Sequence, residues 1–415
     1  MTTNKANHSY DIKMVLPKTK SLITVLVIFA VLGVLPTSAK KQWVATWATA
    51  EQAAEPHNNP PIPLAGNSIR QIVETSIRGK VLRVKLSNEQ SKEPVEIKGA
   101  EIAIALTQGS SASIDESTTR SLSFGGNTSI TIQPGQFVIS DPIRMKTAER
   151  QNIAITLHLE DCPANIITSH PGSRTSSYIA KGNTADFSEA EVTAHWYIIN
   201  AIEVQASKKT GAVVILGNSI TDGRGSTTDA QNRWTDILSK RLLANKETRN
   251  LSVLNMGLGG NCILQGGLGP TGRNRYKRDL FGQAGVKFIV LFEGVNDIGG
   301  RGDAIAKADQ IIEVYKQIID EAHAIGIKVI GGTVMPFKGN GYYSENHEQG
   351  RCRLNDWIRS YEGFDGLIDH AASMASLDDP EKMNPDFLFE NDWLHPNADG
   401  HRHMGETVNL DIFAR

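Results

Sequence analysis

Cysteine is scarce in this 415-residue chain: only Cys162, Cys262 and Cys352 are present. At most one disulfide can form within it, so cross-links cannot staple the fold. Neither sign of charge dominates. Forty-three lysines and arginines stand against 45 aspartates and glutamates, a formal net charge of −2. Without a basic excess the chain lacks the footprint of a nucleic-acid binder, and no such partner is expected. Long apolar runs are equally rare. The one exception, Leu22 to Leu35, is 14 residues, short of the ~20 needed to cross a bilayer, so no stable membrane span is expected. There is no internal repeat and no low-complexity tract. What remains is ordinary globular usage, 40% apolar and 21% charged, which excludes a collagen-like or largely disordered chain. The length suggests two or three domains.

The apolar run follows Lys13, Lys18 and Lys20 and leads into Pro36-Thr37-Ser38-Ala39. Small residues at Thr37 and Ala39 fit a signal-peptidase site, so residues 1–39 read as a signal peptide cleaved near Ala39. An uncleaved anchor or a buried helix are the alternatives, and Met14 is a possible start. No cysteine lies near the site to carry a lipid. The expected location is secreted or periplasmic.

From Trp43 to about Val204 the pattern has period two. Leu82, Val84 and Leu86 alternate with Arg83 and Lys85; Ile153, Ile155, Leu157 and Leu159 alternate with Ala154, Thr156 and His158. Ser129–Ile132 is a short strand ended by Pro134-Gly135. Half-buried strands between frequent turns predict a β-sandwich-like domain over residues 40–207. After the polar linker Ser207–Thr210 the character changes. Ala212–Leu216 is wholly apolar, as a central parallel strand requires. Helical spacing follows at Trp234, Ile237, Leu238 and Leu242. Val253-Leu254, Lys287–Phe292, Lys328–Ile330 and Leu367-Ile368 read as further strands. Ile305, Ala308, Ile311, Ile312, Tyr315, Ile318, Ile319 and Ala322 form one helix face; Leu354, Trp357 and Ile358 mark another helix. This alternation predicts an α/β doubly wound parallel sheet over residues 208–415.

In such a sheet the site lies past the carboxyl ends of the strands. The polar segments there are Gly217-Asn218-Ser219-Ile220, Asn255 to Asn261, Gly294-Val295-Asn296-Asp297 and Asp392-Trp393-Leu394-His395. In this order they resemble the four motif blocks of the SGNH (GDSL-type) esterase and lipase superfamily. The match covers residues 211–415. One departure is Asn218, where the nucleophile block usually carries Asp. The resemblance implies a three-layer αβα, flavodoxin-like fold. It also implies a carboxylic ester hydrolase with Ser219 as nucleophile and an oxyanion hole made by the Ser219 and Gly260 N–H groups and the Asn296 amide. Trp43–Ala48, Ile69–Val73, Arg83–Asn88 and His195-Trp196-Tyr197 resemble one branch of that superfamily. That branch is similar to xylan-associated esterases with a β-rich domain ahead of the hydrolase, which implies acylated carbohydrate, or another small ester, as substrate.

The residues themselves agree on mechanism. A serine hydroxyl needs a base. His395 can take the Ser219 proton and return it to the leaving alkoxide. Asp392, three residues earlier, can hold the other ring nitrogen. No metal or cofactor is required. Blander readings stand beside these. Ser219 or Asn296-Asp297 can be helix caps, Gly260 a turn glycine and Asp392 a turn carboxylate. His395, His401 and His403 with Asp392 make weak zinc spacing. Arg273 and Asn261 read as solvated loop rather than substrate contacts. Cys352 is read as opening a helix. A Cys262–Cys352 disulfide is open, and a cysteine nucleophile has no supporting motif. The expected activity is a secreted esterase removing short acyl groups, acetyl first, from carbohydrate. The alternatives are a broad-specificity lipase or arylesterase, or a glycan-binding protein that has lost catalysis.

Overall fold

Uninterrupted apolar runs make the centre of the structure, a computed structural model that describes residues 41–414. The expected leader, residues 1–39, lies outside the described residues. Five parallel strands run Gly211–Gly217 (β1), Leu251–Gly257 (β2), Val286–Phe292 (β3), Lys328–Gly332 (β4) and Gly366–Ile368 (β5). Their order in the sheet is β2-β1-β3-β4-β5. Ala212 to Leu216 are fully buried in β1, because helices and neighbouring strands cover both faces. The order reverses between β1 and β3, which opens a crevice at their carboxyl ends.

The helices used below are Ser219–Asp222 (α1), Trp234–Ala244 (α2), Ala304–Ala324 (α3), Glu345–Ser360 (α4) and Ala398–Thr407 (α5). Asp303 caps α3 by accepting from the Ile305 and Ala306 N–H groups, and the predicted apolar face of α3 is buried from Ala308 to Ala322. Ile305, in the first turn, stays 37% exposed. Cys352 does not open a helix. It lies in the middle of α4, which starts after the cap residue Ser344.

Residues 41–207 form antiparallel sheets. In one, Lys41–Ala48 pairs with Ile199–Ser207, which pairs with Gly79–Ser87. In another, Ser68–Glu74 and Val95–Ala105 flank Asn152–Asp161. Leu82, Val84 and Leu86 face inward as their alternation predicts. Lys85 departs from the pattern: it is buried, with its ammonium 4.0 Å from the centre of the Phe137 ring. Ala154 and Thr156 are buried too, and Ala154 packs in a second apolar cluster with Ile72, Tyr178 and Phe187. Ser207–Thr210 is a tight turn closed by the Thr210 N–H on the Ser207 carbonyl.

Lys40–Arg415 form one unit, and polar contacts knit the antiparallel sheets to the parallel one. Ser252 Oγ donates to Ala45 O (2.6 Å), Thr49 bridges to Asn255, and the Ser76 and Ser239 hydroxyls lie 2.8 Å apart. Among the described residues no helix is long and apolar enough to cross a membrane.

Candidate active site

The chain leaves β1 in a turn that lifts Ser219 clear of the sheet. Asn218 caps α1, its side-chain oxygen accepting from the Ile220 N–H at 3.1 Å. The neutral amide thus does the capping where the motif usually carries a carboxylate. Ser219 is therefore not the cap, and its hydroxyl is free for another partner. That partner is His395: Oγ lies 2.8 Å from Nε2. On the far side of the ring, Nδ1 lies 2.6 Å from Asp392 Oδ2. An ionised carboxylate only accepts, so Nδ1 carries the proton and Nε2 presents its lone pair to the serine hydroxyl.

Asp392 is more than a turn carboxylate. Its Oδ1 accepts from the Leu394 and His395 N–H groups at 2.9 and 2.8 Å. Burial raises its carboxyl, but these bonds and the His395 ring outweigh burial and hold it below the usual value. The loop is held from outside by Asn340, whose Nδ2 donates to the Asp392 carbonyl at 2.6 Å. Glu390, Asn391 and Trp393 all take positive φ, from 51° to 58°, costly for residues with a Cβ.

After β2 the chain turns at Gly260, φ +63°. A Cβ there would lie 3.0 Å from Leu268 Cγ. Among the described residues nothing accepts from the Gly260 N–H. Asn296, after β3, donates through Nδ2 to Asn261 O (2.7 Å) and accepts from the Tyr342 hydroxyl at Oδ1 (3.1 Å). One amide N–H is left over, in an orientation fixed at both ends. Asp297 is not a cap either. Its oxygens accept from the Ile263 and Leu264 N–H groups at 2.8 and 2.9 Å, and burial raises its carboxyl despite those bonds.

The residue the sequence reading missed is Arg275. Fully buried, its guanidinium donates to Gly217 O (2.9 Å), Met256 O (2.7 Å), Asn261 Oδ1 (2.9 Å) and Asp279 Oδ2 (3.0 Å). It also lies 3.4 Å from Glu293 Oε2. One side chain thus ties the ends of β1, β2 and β3 together. The available signal was the i,i+4 pair with Asp279. Arg273 is solvent-exposed as expected, but Asn261 is fully buried, not solvated loop.

The remaining candidates fall elsewhere. His401 Nδ1 accepts from the Trp234 N–H, and its Nε2 faces Arg224 O; His403 bonds Ser373 O. Among the described residues no group of three or more His, Cys, Asp or Glu is placed to hold a metal. The three thiols are free, so Cys262 and Cys352 are not paired. Burial, with help from Asp297 and Glu293, pushes the Cys262 thiol up to about 12, which removes it as a nucleophile.

The arrangement is a hydroxyl joined to a base and a base joined to an anion, with an amide N–H left open at Asn296. Acyl transfer needs these parts. The GDSL-like lipase/acylhydrolase family matches residues 215–403. No curated protein matches the chain. Similar solved structures include a GDSL-like lipase from Bacteroides thetaiotaomicron (20% identity, 50% of this chain and 90% of that one, TM-score 0.36). Another is an acetyl xylan esterase from Geobacillus stearothermophilus (19%, 49% and 96%, TM-score 0.38). A family two carbohydrate esterase from Clostridium thermocellum is similar over 89% of this chain and 98% of its own (14% identity, TM-score 0.37).

Proposed function

The C-terminal half, residues 215–403, belongs to the GDSL-like lipase/acylhydrolase family, and on that premise we propose a serine esterase that removes short acyl groups from carbohydrate outside the cytoplasm. The observation that carries the reading is the Ser219–His395–Asp392 chain of contacts. As Ser219 Oγ bonds to the ester carbonyl carbon, its proton passes to His395 Nε2. Asp392 stabilises the imidazolium so formed. The carbonyl oxygen, now an anion, takes hydrogen bonds from the Ser219 and Gly260 N–H groups and the spare Asn296 N–H. Collapse breaks the ester C–O bond, and Nε2 returns the proton to the leaving sugar oxygen. Water repeats the sequence on the acyl-enzyme, releasing the acid and restoring Ser219.

The acyl preference rests on what lines the site. A long chain needs a continuous apolar groove, each buried methylene contributing about 0.8 kcal/mol. Leu258, Ile263 and Leu264, the nearest apolar residues in sequence, are packed inside. Leu268, 46% exposed against Gly260, is the apolar side chain that stands open there. Carbohydrate as the alcohol side is supported by the Trp43–Ala48 and His195–Tyr197 motifs, and an extracytoplasmic location by the Leu22–Leu35 run with its small-residue exit. The test is kcat/KM across p-nitrophenyl acetate, butyrate, octanoate and palmitate, with acetate release from a panel of acetylated polysaccharides. A fall with chain length is expected. A rise toward octanoate overturns the reading in favour of a lipase or arylesterase, with Leu268 as one wall of the acyl site. N-terminal sequencing of protein from the native host should begin near Lys40.

A further inference from the structure

Resting on the serine-esterase reading, we propose that His170, from the antiparallel half of the chain, is a positioning residue for Ser219, acting through its contact with Asp222. Asp222 ends α1, the single helical turn that begins with Ser219. It is 2% exposed, and its Oδ1 lies 2.9 Å from His170 Nε2. The other ring nitrogen, Nδ1, lies 2.9 Å from Ala50 O. A carbonyl only accepts, so Nδ1 carries a proton. The Nε2–Oδ1 approach is a close contact without hydrogen-bond alignment, and among the described residues Asp222 Oδ1 has no hydrogen-bond partner.

The pair does two things. A buried carboxylate is costly without a cation. Two basic side chains approach Asp222, His170 at 2.9 Å and Arg174 at 3.8 Å; both come from the antiparallel half. A helix of one turn also cannot hold itself together by its own bonds. Asn218 fixes the start of α1. Its end is fixed by Arg233 Nε on the Asp222 carbonyl (3.1 Å) and by His170 on the side chain. The Asp222 carboxylate also lies against Gly172 on one side and 3.6 Å from the Cβ position of Gly259, next to Gly260.

The antiparallel half is built to hold this histidine. Trp196 stacks on His170, with centroids 5.6 Å apart and planes at 28°, and Trp47 packs edge-on against Trp196 at 5.0 Å. These tryptophans belong to the Trp43–Ala48 and His195–Tyr197 motifs, for which the hydrolase chemistry alone provides no use.

The test is a double-mutant cycle of His170→Ala and Asp222→Asn, with His170→Gln as the conservative variant that keeps a donor. Each is read by kcat and KM on p-nitrophenyl acetate, by the labelling rate of Ser219 with a fluorophosphonate, and by melting. Displacement of a nucleophile by a fraction of an ångström should lower kcat at least tenfold with KM within twofold. Labelling should slow in parallel. The double variant should be no more than twofold worse than the worse single, and His170→Gln should recover part of the loss. A folded His170→Ala protein with kcat within twofold of the parent overturns the proposal. If that variant does not fold, Asp222→Asn, which keeps the shape, decides by the same criterion. An inactive parent refutes the esterase reading and this inference with it; an active parent with unaffected variants refutes the inference alone.

Discussion

Replacing Arg275 with lysine keeps the positive charge and discards the fork. The guanidinium serves five acceptor atoms, on Gly217, Met256, Asn261, Asp279 and Glu293. An ammonium has three donors, so at least two acceptors lose this donor, and Gly217 O keeps another, the Leu258 N–H. Each orphaned buried group costs about 1–3 kcal/mol, so with one or two orphaned the Arg275→Lys protein should be destabilised by about 1–6 kcal/mol. Removing the charge altogether, as in Arg275→Met, should cost about 3–5 kcal/mol, since the buried Glu293 would lose its ion pair and Asp279 would keep Arg278 alone. Activity should fall as well. Gly217 directly precedes the Asn218-Ser219 turn, and Asn261 follows Gly260, so slack at either displaces an oxyanion donor or the nucleophile. The assay is urea unfolding by circular dichroism beside kcat on p-nitrophenyl acetate. An Arg275→Lys protein within about 0.5 kcal/mol of the parent, with unchanged kcat, would refute the reasoning: the five contacts would then be coincidental rather than a tie.

Ser219→Ala should lower kcat by several orders of magnitude with melting unchanged; retention of a tenth of the activity would exclude Ser219 as nucleophile. Asn296→Ala should cost on the order of 10²–10³ in kcat with little change in KM, whereas a pure KM defect would make Asn296 a substrate-binding residue. His370 is buried against Trp234 and Phe292, and both ring nitrogens lack partners among the described residues. Burial lowers its value from 6.5 to about 3. The unfolded chain therefore takes up the proton first, and the stability this group confers is intact above pH 6.5 and lost as pH falls toward 3. At pH 4.5 the loss is about 3 kcal/mol. His370→Leu should remove that share of the acid sensitivity, read as urea midpoints at pH 7 and 4.5; an equal acid loss in both proteins would contradict it.

The parallel sheet was legible because each strand is a short apolar run ended abruptly by small or polar residues, and that grammar also marks part of the site. Ser219, Gly260 and Asn296 were found because each lies just past such a run, and Asp392 and His395 because they complete the four-block resemblance. What the sequence hid are side chains whose use depends on rotation about a short helix or on a distant partner. Arg273 and Arg275 are two residues apart in Gly272–Tyr276, and only the direction of that one turn decides which is buried. Asn340 and Tyr342, which hold Asp392 and Asn296, belong to no periodic pattern. His170 and Asp222 are 52 positions apart, and neither stands out without the other. Lys85 reads as outward by alternation because no local pattern announces the Phe137 ring above it.

The strand along β2 also bears on how the chain can be made. An outer strand of a sheet carries unpaired N–H and C=O groups that recruit other chains into aggregates. At one margin the fold answers with brevity, since β5 has only three residues. At the other, β2 is seven residues long, and residues 45–49 lie over it through Ser252 and Asn255. That cover precedes the sheet in the chain, so it leaves the ribosome first and is in place when β2 emerges. A truncation starting at Gly211 would keep all four motif blocks and strip the cover from β2. Such a fragment is expected to collect in inclusion bodies, where residues 40–415 would be recovered folded.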